Sequence, residues 1–513
     1  MFTRGRILGL AFGCLMRDIQ SPLQGVRSPF GGRRTDLASL FLPGNVGILF
    51  EPQRRDTLWQ DAAGATPVTT YGQGIQLLGD RSQGMALGPE LWADQTPTIT
   101  EVGSTSTWTA GTKTMATTGG TSGQYPWFSF ALGLVTGQTY DVAIALSGDI
   151  AKLQSIMVGG VTLAASAMVR AKVSATAAVM VFKFIGTAGA ATVAINSITV
   201  RELKGRHATQ ANAASALIYG RHPAGGVRNL LLATDVLATQ SKTTTAVAHT
   251  LAFTGTGTVT LSGASTAGPL VGTGAGNRVS LTFTPSAGSL TLTVSGSVTL
   301  GQLEIGSSAT AYQRVGNAYD VTEAGKADCC YGLFDGADNS LATAAFAWGS
   351  DKATIIAAVR KNVDSPAGIV AEYSANSASN AGTFYLSAGN DAGAIGTSVN
   401  GYSSLSRGSA AAFREQSGQV AVAAPDTAVI SVTHDIAGDL SAMRRNGVNG
   451  TNGAADKGTG NFGSYPLYIG RRGGTTLPFN GLLYGLLIIN RILSAEELAL
   501  AERLMAAKCG VTL

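Results

Sequence analysis

The sequence predicts an all-β chain of several antiparallel sandwich domains, preceded by an extended N-terminal arm and closed by one short C-terminal helix. Three observations lead there. Glycine supplies 67 of 513 residues, about twice the usual share, while charged residues make up 13%, about half the globular norm, which argues against solvated charged tails or long disordered linkers. Beyond residue 88 the chain is rich in Thr, Ser, Val, Ala and Gly, with short runs alternating at period two between Gly, Asn or Asp boundaries, the pattern of half-buried strands. The length suffices for two to four domains with cores of their own.

The first element, residues 1–43, reads as an arm. Residues 1–55 carry eight Arg (4, 6, 17, 27, 33, 34, 54, 55) and three acids (Asp18, Asp36, Glu51), so 8 − 3 = +5, the whole net charge of the chain. Within it SPLQGVRSPFGGRR (21–34) mixes Pro, Gly-Gly and Arg, a composition that cannot build a core and suits a segment laid on another protein. Arg17, Arg27, Phe30, Arg33 and Arg34 are the expected attachment contacts. A solvated tail and a nucleic-acid contact are the weaker alternatives, since Lys is absent there and aromatic interleaving is thin. The opening MFTRGRILGLAFGCLM imitates a secretory signal, but the segment is expected to be retained.

The strands follow. SLTLTV (289–294), SVTLGQLEI (297–305), ATVAINSITVREL (191–203) and VAVAAPDTAVISVTHD (420–435) are the clearest alternating runs. A weak internal repeat accompanies them: one stretch opens GPELWADQTPTI (88–99) and ends INSITVREL (195–203), another opens GVRNLLLATDVL (226–237) and ends VTLGQLEIGSSATAYQRV (298–315). Each has the length of one sandwich. The last element is a helix after Ser494, with Ser494 as N-cap, Glu497 completing a capping box and Gly510 as the stop.

Four cysteines, Cys14, Cys329, Cys330 and Cys509, are too few and too scattered for a secreted disulfide framework, and no Cys/His spacing suggests zinc. Folding and assembly are therefore expected in a reducing cytoplasm. No apolar run approaches the roughly 18 residues of a membrane helix, so no membrane insertion is expected.

The C-terminal third carries a family resemblance. YGLFDGADNSLAT (331–343), a strand ending THD (433–435), RRNGVNG (444–450), LYIGRRGG (467–474) and FNGLLYGLLIINRILSAEELALAERLMAAKCG (479–510) resemble, in order, a concanavalin A-like, laminin-G-like jelly roll. Its opening is similar to TLWQDAAGATPVTTYGQGIQLLGDRSQG (57–84), and its continuation to HATQANAASALIY (207–219). The resemblance implies a jelly roll built from 44–87, 205–225 and 317–513, interrupted by two inserted sandwiches, 88–204 and 226–316, the first similar to a carbohydrate-binding module. Three contiguous domains are the alternative. The combination resembles bacteriophage virion appendages of the tail-fibre or spike kind. It implies assembly as an oligomer, a trimer, with other virion proteins as partners of the arm and host-surface polysaccharide or lipopolysaccharide as target. Head-fibre or capsid decoration without receptor binding, a polysaccharide-cleaving enzyme and a bacterial surface adhesin are the rival readings.

Catalytic chemistry finds little support. A retaining jelly-roll glycosidase needs two carboxylates about 5 Å apart across the scissile bond, and no Glu-x-Asp-x-x-Glu run exists. Asp335 and Asp338 lie in a turn and read as backbone caps, with a structural calcium as the lesser alternative; no other cofactor is expected. His434-Asp435 lacks a nucleophile motif, Cys329-Cys330 reads as apolar packing, and GRRGG (470–474) as a hairpin turn. Sugar binding has better support, because glycan sites stack aromatic faces on sugar rings and flank them with polar groups. The first insertion holds Trp92, Trp108, Tyr125, Trp127, Phe128 and Phe130. From these Trp108, Tyr125 and Trp127 are the expected stacking residues, with Arg445 and Arg471 as polar contacts from the jelly roll; core packing is the competing reading for the aromatics and solvated surface for the arginines.

Overall fold

The computed structural model describes residues 36–118, 126–185, 189–390, 400–409 and 416–513. The attachment residues Arg17, Arg27, Phe30, Arg33 and Arg34, the first cysteine, Cys14, and the aromatic Tyr125 lie outside the described residues.

Strands drawn from three separated stretches of chain interleave in two large sheets. One sheet runs, in spatial order, Gln313–Asn317, Asp320–Glu323, Leu217–Pro223, Asp328–Asp335, Asn480–Ile489, Lys352–Lys361, Asp426–Asp435, Leu440–Arg445, Val448–Asn449, with Gly47–Phe50 and Gly74–Ile75 paired alongside. The other runs Leu58–Trp59, Leu77–Leu78, Ala208–Thr209, Leu341–Thr343, Leu467–Ile469, Gly368–Tyr373, Thr383–Ala388, Gly401–Arg407, Gln416–Ala421. Their facing sides enclose one core that includes Phe50, Leu78, Tyr219, Phe334, Trp348, Phe384 and Leu486, the arrangement of a two-sheet jelly roll.

The central strand Asn480–Ile489 is nearly all apolar because both its faces are covered. Leu483, Leu486 and Ile488 point into the inter-sheet core, whereas Tyr484, Leu487 and Ile489 meet the helix Ala495–Cys509 on the outer side. Ser494 and Glu497 form the expected capping box, and Gly510 ends the helix at φ 71°. The helix sits close because Gly485 lies beneath it: a Cβ there would stand 2.8 Å from Met505 Sδ. Alternation also separates the adjacent cysteines, Cys329 facing the helix and Cys330 the inter-sheet core, both buried and free.

Residues 87–203 form two sheets of their own. The first orders Met168–Ser174, Thr139–Gly148, Ala191–Leu203, Thr114–Thr117, Ser106–Thr109, with Leu87–Glu90 beside Ala191–Leu203; the second orders Val161–Leu163, Leu153–Val158, Val179–Phe184, Trp127–Ala131, Thr98–Thr100. Their core holds Phe128, Phe130, Phe182 and Phe184. A smaller sandwich spans 240–305 around Leu251, Phe253, Leu290 and Leu303. The boundary expected at residue 316 falls inside the strand Gln313–Asn317. That strand pairs with Asp320–Glu323 and, through Arg314 to Asp320 at 3.0 Å, ties the end of the insertion to the large sheet. Among the described residues no helix is long and apolar enough to cross a membrane.

Candidate functional site

The aromatic residues of the first insertion divide by strand alternation. In Trp127–Ala131, Phe128 and Phe130 turn inward and are fully buried. Trp127 therefore stands on the opposite face, half-buried beside Lys183 and Thr100 of the neighbouring strands. Ser106–Thr109 is an edge strand, and Trp108 points inward from it, its ring 5.4 Å from that of Phe130 at 73°. Trp92 reaches the same ring from the chain after Leu87–Glu90, at 5.3 Å and 63°. Edge-to-face packing of this kind suits the ring quadrupoles.

Trp92 is fixed by its backbone N–H, which donates to Glu90 Oε1 at 3.0 Å; the same oxygen accepts from Val200 N at 2.6 Å. Burial raises the Glu90 pKa, but these two backbone donors and Arg201 outweigh it and hold the carboxyl below its ordinary range. Between the two indoles opens a pocket of about 140 Å³, closed by Asp94, Gln95, Thr96, Ala110 and Lys113. Lys113, left-handed at φ 50° after the turn Ala110–Thr112, bonds Asp94 at 2.6 Å. Gln95 is held by donating to Ala131 O at 2.9 Å. The Trp108 indole N–H is buried and has no acceptor.

Such a pocket has apolar aromatic walls and a rim that both donates and accepts, the combination that holds one end of a sugar: ring carbons on the indoles, hydroxyls on Asp94, Lys113 and Gln95. At ~30 Å³ per water it holds about five waters, the size of part of a single sugar ring.

The expected set is not brought together. Trp108 lines the pocket, Trp127 lies on another face, and the jelly-roll arginines are engaged with their own domain. Arg445 Nε meets Asp426 Oδ2 at 3.1 Å, with Nη2 on the other carboxylate oxygen. Its neighbour Arg444 pairs with buried Glu502 at 3.3 Å. Arg471 donates to Asp338 O at 3.1 Å and to Thr475 O. The pocket also takes Trp92, Asp94, Gln95 and Lys113 into its lining, none of them among the expected contacts. Trp92, Asp94 and Gln95 lie in GPELWADQTPTI (88–99), but nothing local marks Lys113, which arrives through the pairing of Ser106–Thr109 with Thr114–Thr117.

Asp335 caps its turn, Oδ1 accepting from Ala337 N at 2.8 Å and Asp338 N at 3.3 Å, while Asp338 Oδ2 accepts from Ser215 Oγ at 2.6 Å. His434 is fully buried, with Nδ1 2.8 Å from Ser441 Oγ, whereas Asp435 on the next position pairs with Lys352 at 3.1 Å, so the two side chains leave opposite faces of the strand. In GRRGG the left-handed Gly470, Gly473 and Gly474 form a turn in which Arg472 N donates to Thr476 O at 2.8 Å. Among the described residues no three His, Cys, Asp or Glu side chains converge as a metal-binding group.

No family model matches the chain, and neither does any curated protein. Among solved structures it is similar to the CBM40 of the Ruminococcus gnavus IT-sialidase, at 16% identity over 29% of this chain and 82% of that one, TM-score 0.24. It is also similar to Domain 4 of AbnA, a GH43 extracellular arabinanase from Geobacillus stearothermophilus in complex with arabinotriose, at 14% identity over 38% of this chain and 82% of that one, TM-score 0.26.

Proposed function

We propose that this chain is a non-enzymatic virion appendage protein that binds host-surface glycan through the Trp92–Trp108 pocket of its first inserted sandwich. The observation that carries the binding reading is the convergence of two half-buried indoles with Asp94, Gln95 and Lys113 around one small surface cavity, the chemistry of a sugar site. The virion role rests on the sequence resemblance and on the Arg-rich arm, which suits docking onto a particle. Assembly as a trimer in the host cytoplasm belongs to the same reading. The carboxylates nearest to a glycosidase pair, Asp335 and Asp338, are engaged by backbone and serine donors, which favours binding over cleavage.

The test is binding of the fluorescently labelled full chain to intact host cells, compared with Trp92→Ala and with cells treated with periodate, which cleaves vicinal diols. Saturable binding that falls at least about tenfold (1.4 kcal/mol) in both controls is the expected outcome. Binding indifferent to periodate and to Trp92→Ala would remove the glycan reading, and no binding at all, with the full chain still incorporated into particles, would leave a purely structural decoration protein.

A further inference from the structure

A second cavity, about 410 Å³, lies where the jelly roll meets the first inserted sandwich, away from the Trp92 pocket. It falls within the 300–1,000 Å³ range of small-molecule clefts, which favour domain junctions. The jelly roll contributes Gln83, Arg206 and Phe346 to its wall, and the sandwich Thr136, Gln138 and Glu202. The junction is tied on both sides. Lys172 N donates to Ala63 O with Lys172 Nζ 5.7 Å from the Trp59 ring, and at Gly137 an added Cβ would stand 3.8 Å from Ala344.

Part of the polar lining of this wall is not used by the fold. Among the described residues the side chains of Gln83, Gln138 and Glu202 have no hydrogen-bond or ion-pair partner. Arg206 bonds Gly47 O only at 3.4 Å, its plane lies 4.7 Å over Phe346, and its Nε has no acceptor. By contrast His207, in the same wall, is satisfied at both nitrogens, by Asp80 N and Leu203 O, each at 3.0 Å, and Thr139 and Thr343 are bonded to Ser174 Oγ and Ala344 O. Gln83 is exposed and Gln138 and Glu202 are half-buried, so their polar groups are accessible to a ligand, and the buried Arg206 Nε, left without an acceptor at a cost of about 1–3 kcal/mol, is a donor that a ligand would satisfy.

We propose that this cleft is a second, independent saccharide site, taking a neutral pyranose residue. One guanidinium and one carboxylate sum to zero charge, which disfavours phosphate or a polyanion. Two carboxamides, a carboxylate and a guanidinium are planar groups that bond adjacent hydroxyls in pairs, and the methyls of Ala342, Ala344 and Ala345 offer an apolar floor for ring carbons. The volume equals about fourteen waters at ~30 Å³ each, room for a whole sugar ring. The inference stands apart from the Trp92 pocket and survives if that pocket binds nothing.

The test uses saturation-transfer NMR on the full chain carrying Trp92→Ala, so that the aromatic pocket is silenced, with the methyl pyranosides of glucose, galactose, mannose, N-acetylglucosamine and rhamnose as probes. At least one is expected to receive saturation, with Kd raised about tenfold or more, 1.4 kcal/mol, by Glu202→Gln or Gln138→Ala and the signal abolished by Gln138→Trp, which fills the cleft. A melting temperature within a few degrees of the parent shows that each variant is folded. No transfer to any of the five, or transfer that Gln138→Trp leaves intact, overturns the proposal.

Discussion

The jelly roll and its first insertion each hold an aromatic cluster, and the two are built for different ends. In the jelly roll Trp348 is 1% exposed, its ring 5.1 Å from Phe384 and 5.3 Å from Tyr373, and its indole N–H donates to Lys352 O at 2.8 Å. In the insertion Trp92 and Trp108 are half-buried at a sandwich edge, pack on one phenylalanine, and leave an indole donor without an acceptor. The same residue type is a satisfied core element in one place and an open wall in the other. What separates them is strand position: Trp348 lies between two broad sheets, while Trp108 sits on an edge strand where the core runs out.

That contrast can be broken by substitution. Trp348→Ala should cost about 3–5 kcal/mol, as large-to-small changes in a filled core do, read by urea unfolding. Trp92→Ala should cost roughly 1 kcal/mol while removing glycan binding. Equal losses of stability from the two would abolish the distinction.

Acid sharpens the comparison, because the jelly-roll cluster contains a titratable member. His434, stacked 6.3 Å from Phe384, has its pKa lowered to about 3 by burial, with Lys457 adding to the effect. The unfolded chain takes up this proton near pH 6.5 and the folded chain only near 3, so the stability is intact above 6.5. It declines by about 1.4 kcal/mol per pH unit as the pH falls between those values. Burial lowers His207 and His222 in the same direction. His434→Gln should flatten this acid limb in unfolding curves taken from pH 7 to 4, and an unchanged slope would show that the histidine is already charged or hydrated in the native fold.

The smallest effect is expected at Trp127. Standing on the outer face of its sheet, it should lose no more than about 0.5 kcal/mol on Trp127→Ala and leave binding to cells unchanged. A loss of binding there, with Trp92→Ala silent, would move the site to the opposite face of the sandwich.

Much of the local structure is legible in the sequence. Alternation marks Ala191–Leu203 to the residue, and Ser494, Glu497 and Gly510 bound the helix. The pocket is less so: Trp108 is visible as an aromatic, but its partners Trp92, Asp94 and Lys113 come from segments whose local pattern gives no common face. The jelly-roll arginines illustrate the reverse. As a sequence, Arg444-Arg445 and Arg471-Arg472 look like free cationic surface, yet Asp426, Glu502 and Glu372 lie across from three of them, and Arg471 is turned onto backbone carbonyls.

The sequence by itself determined the all-β class, the period-two strands, the turns at Gly and Asn, and the capped final helix. These follow from steric and hydrogen-bonding preferences that act within a few residues. Tertiary structure alone decided that Gly47–Phe50 pairs with Leu486–Ile489, which indoles share a pocket, and which charges are neutralised. Those outcomes depend on register and packing between residues well separated along the chain, where a shift of one residue reverses every side chain's face and no local pattern records the choice.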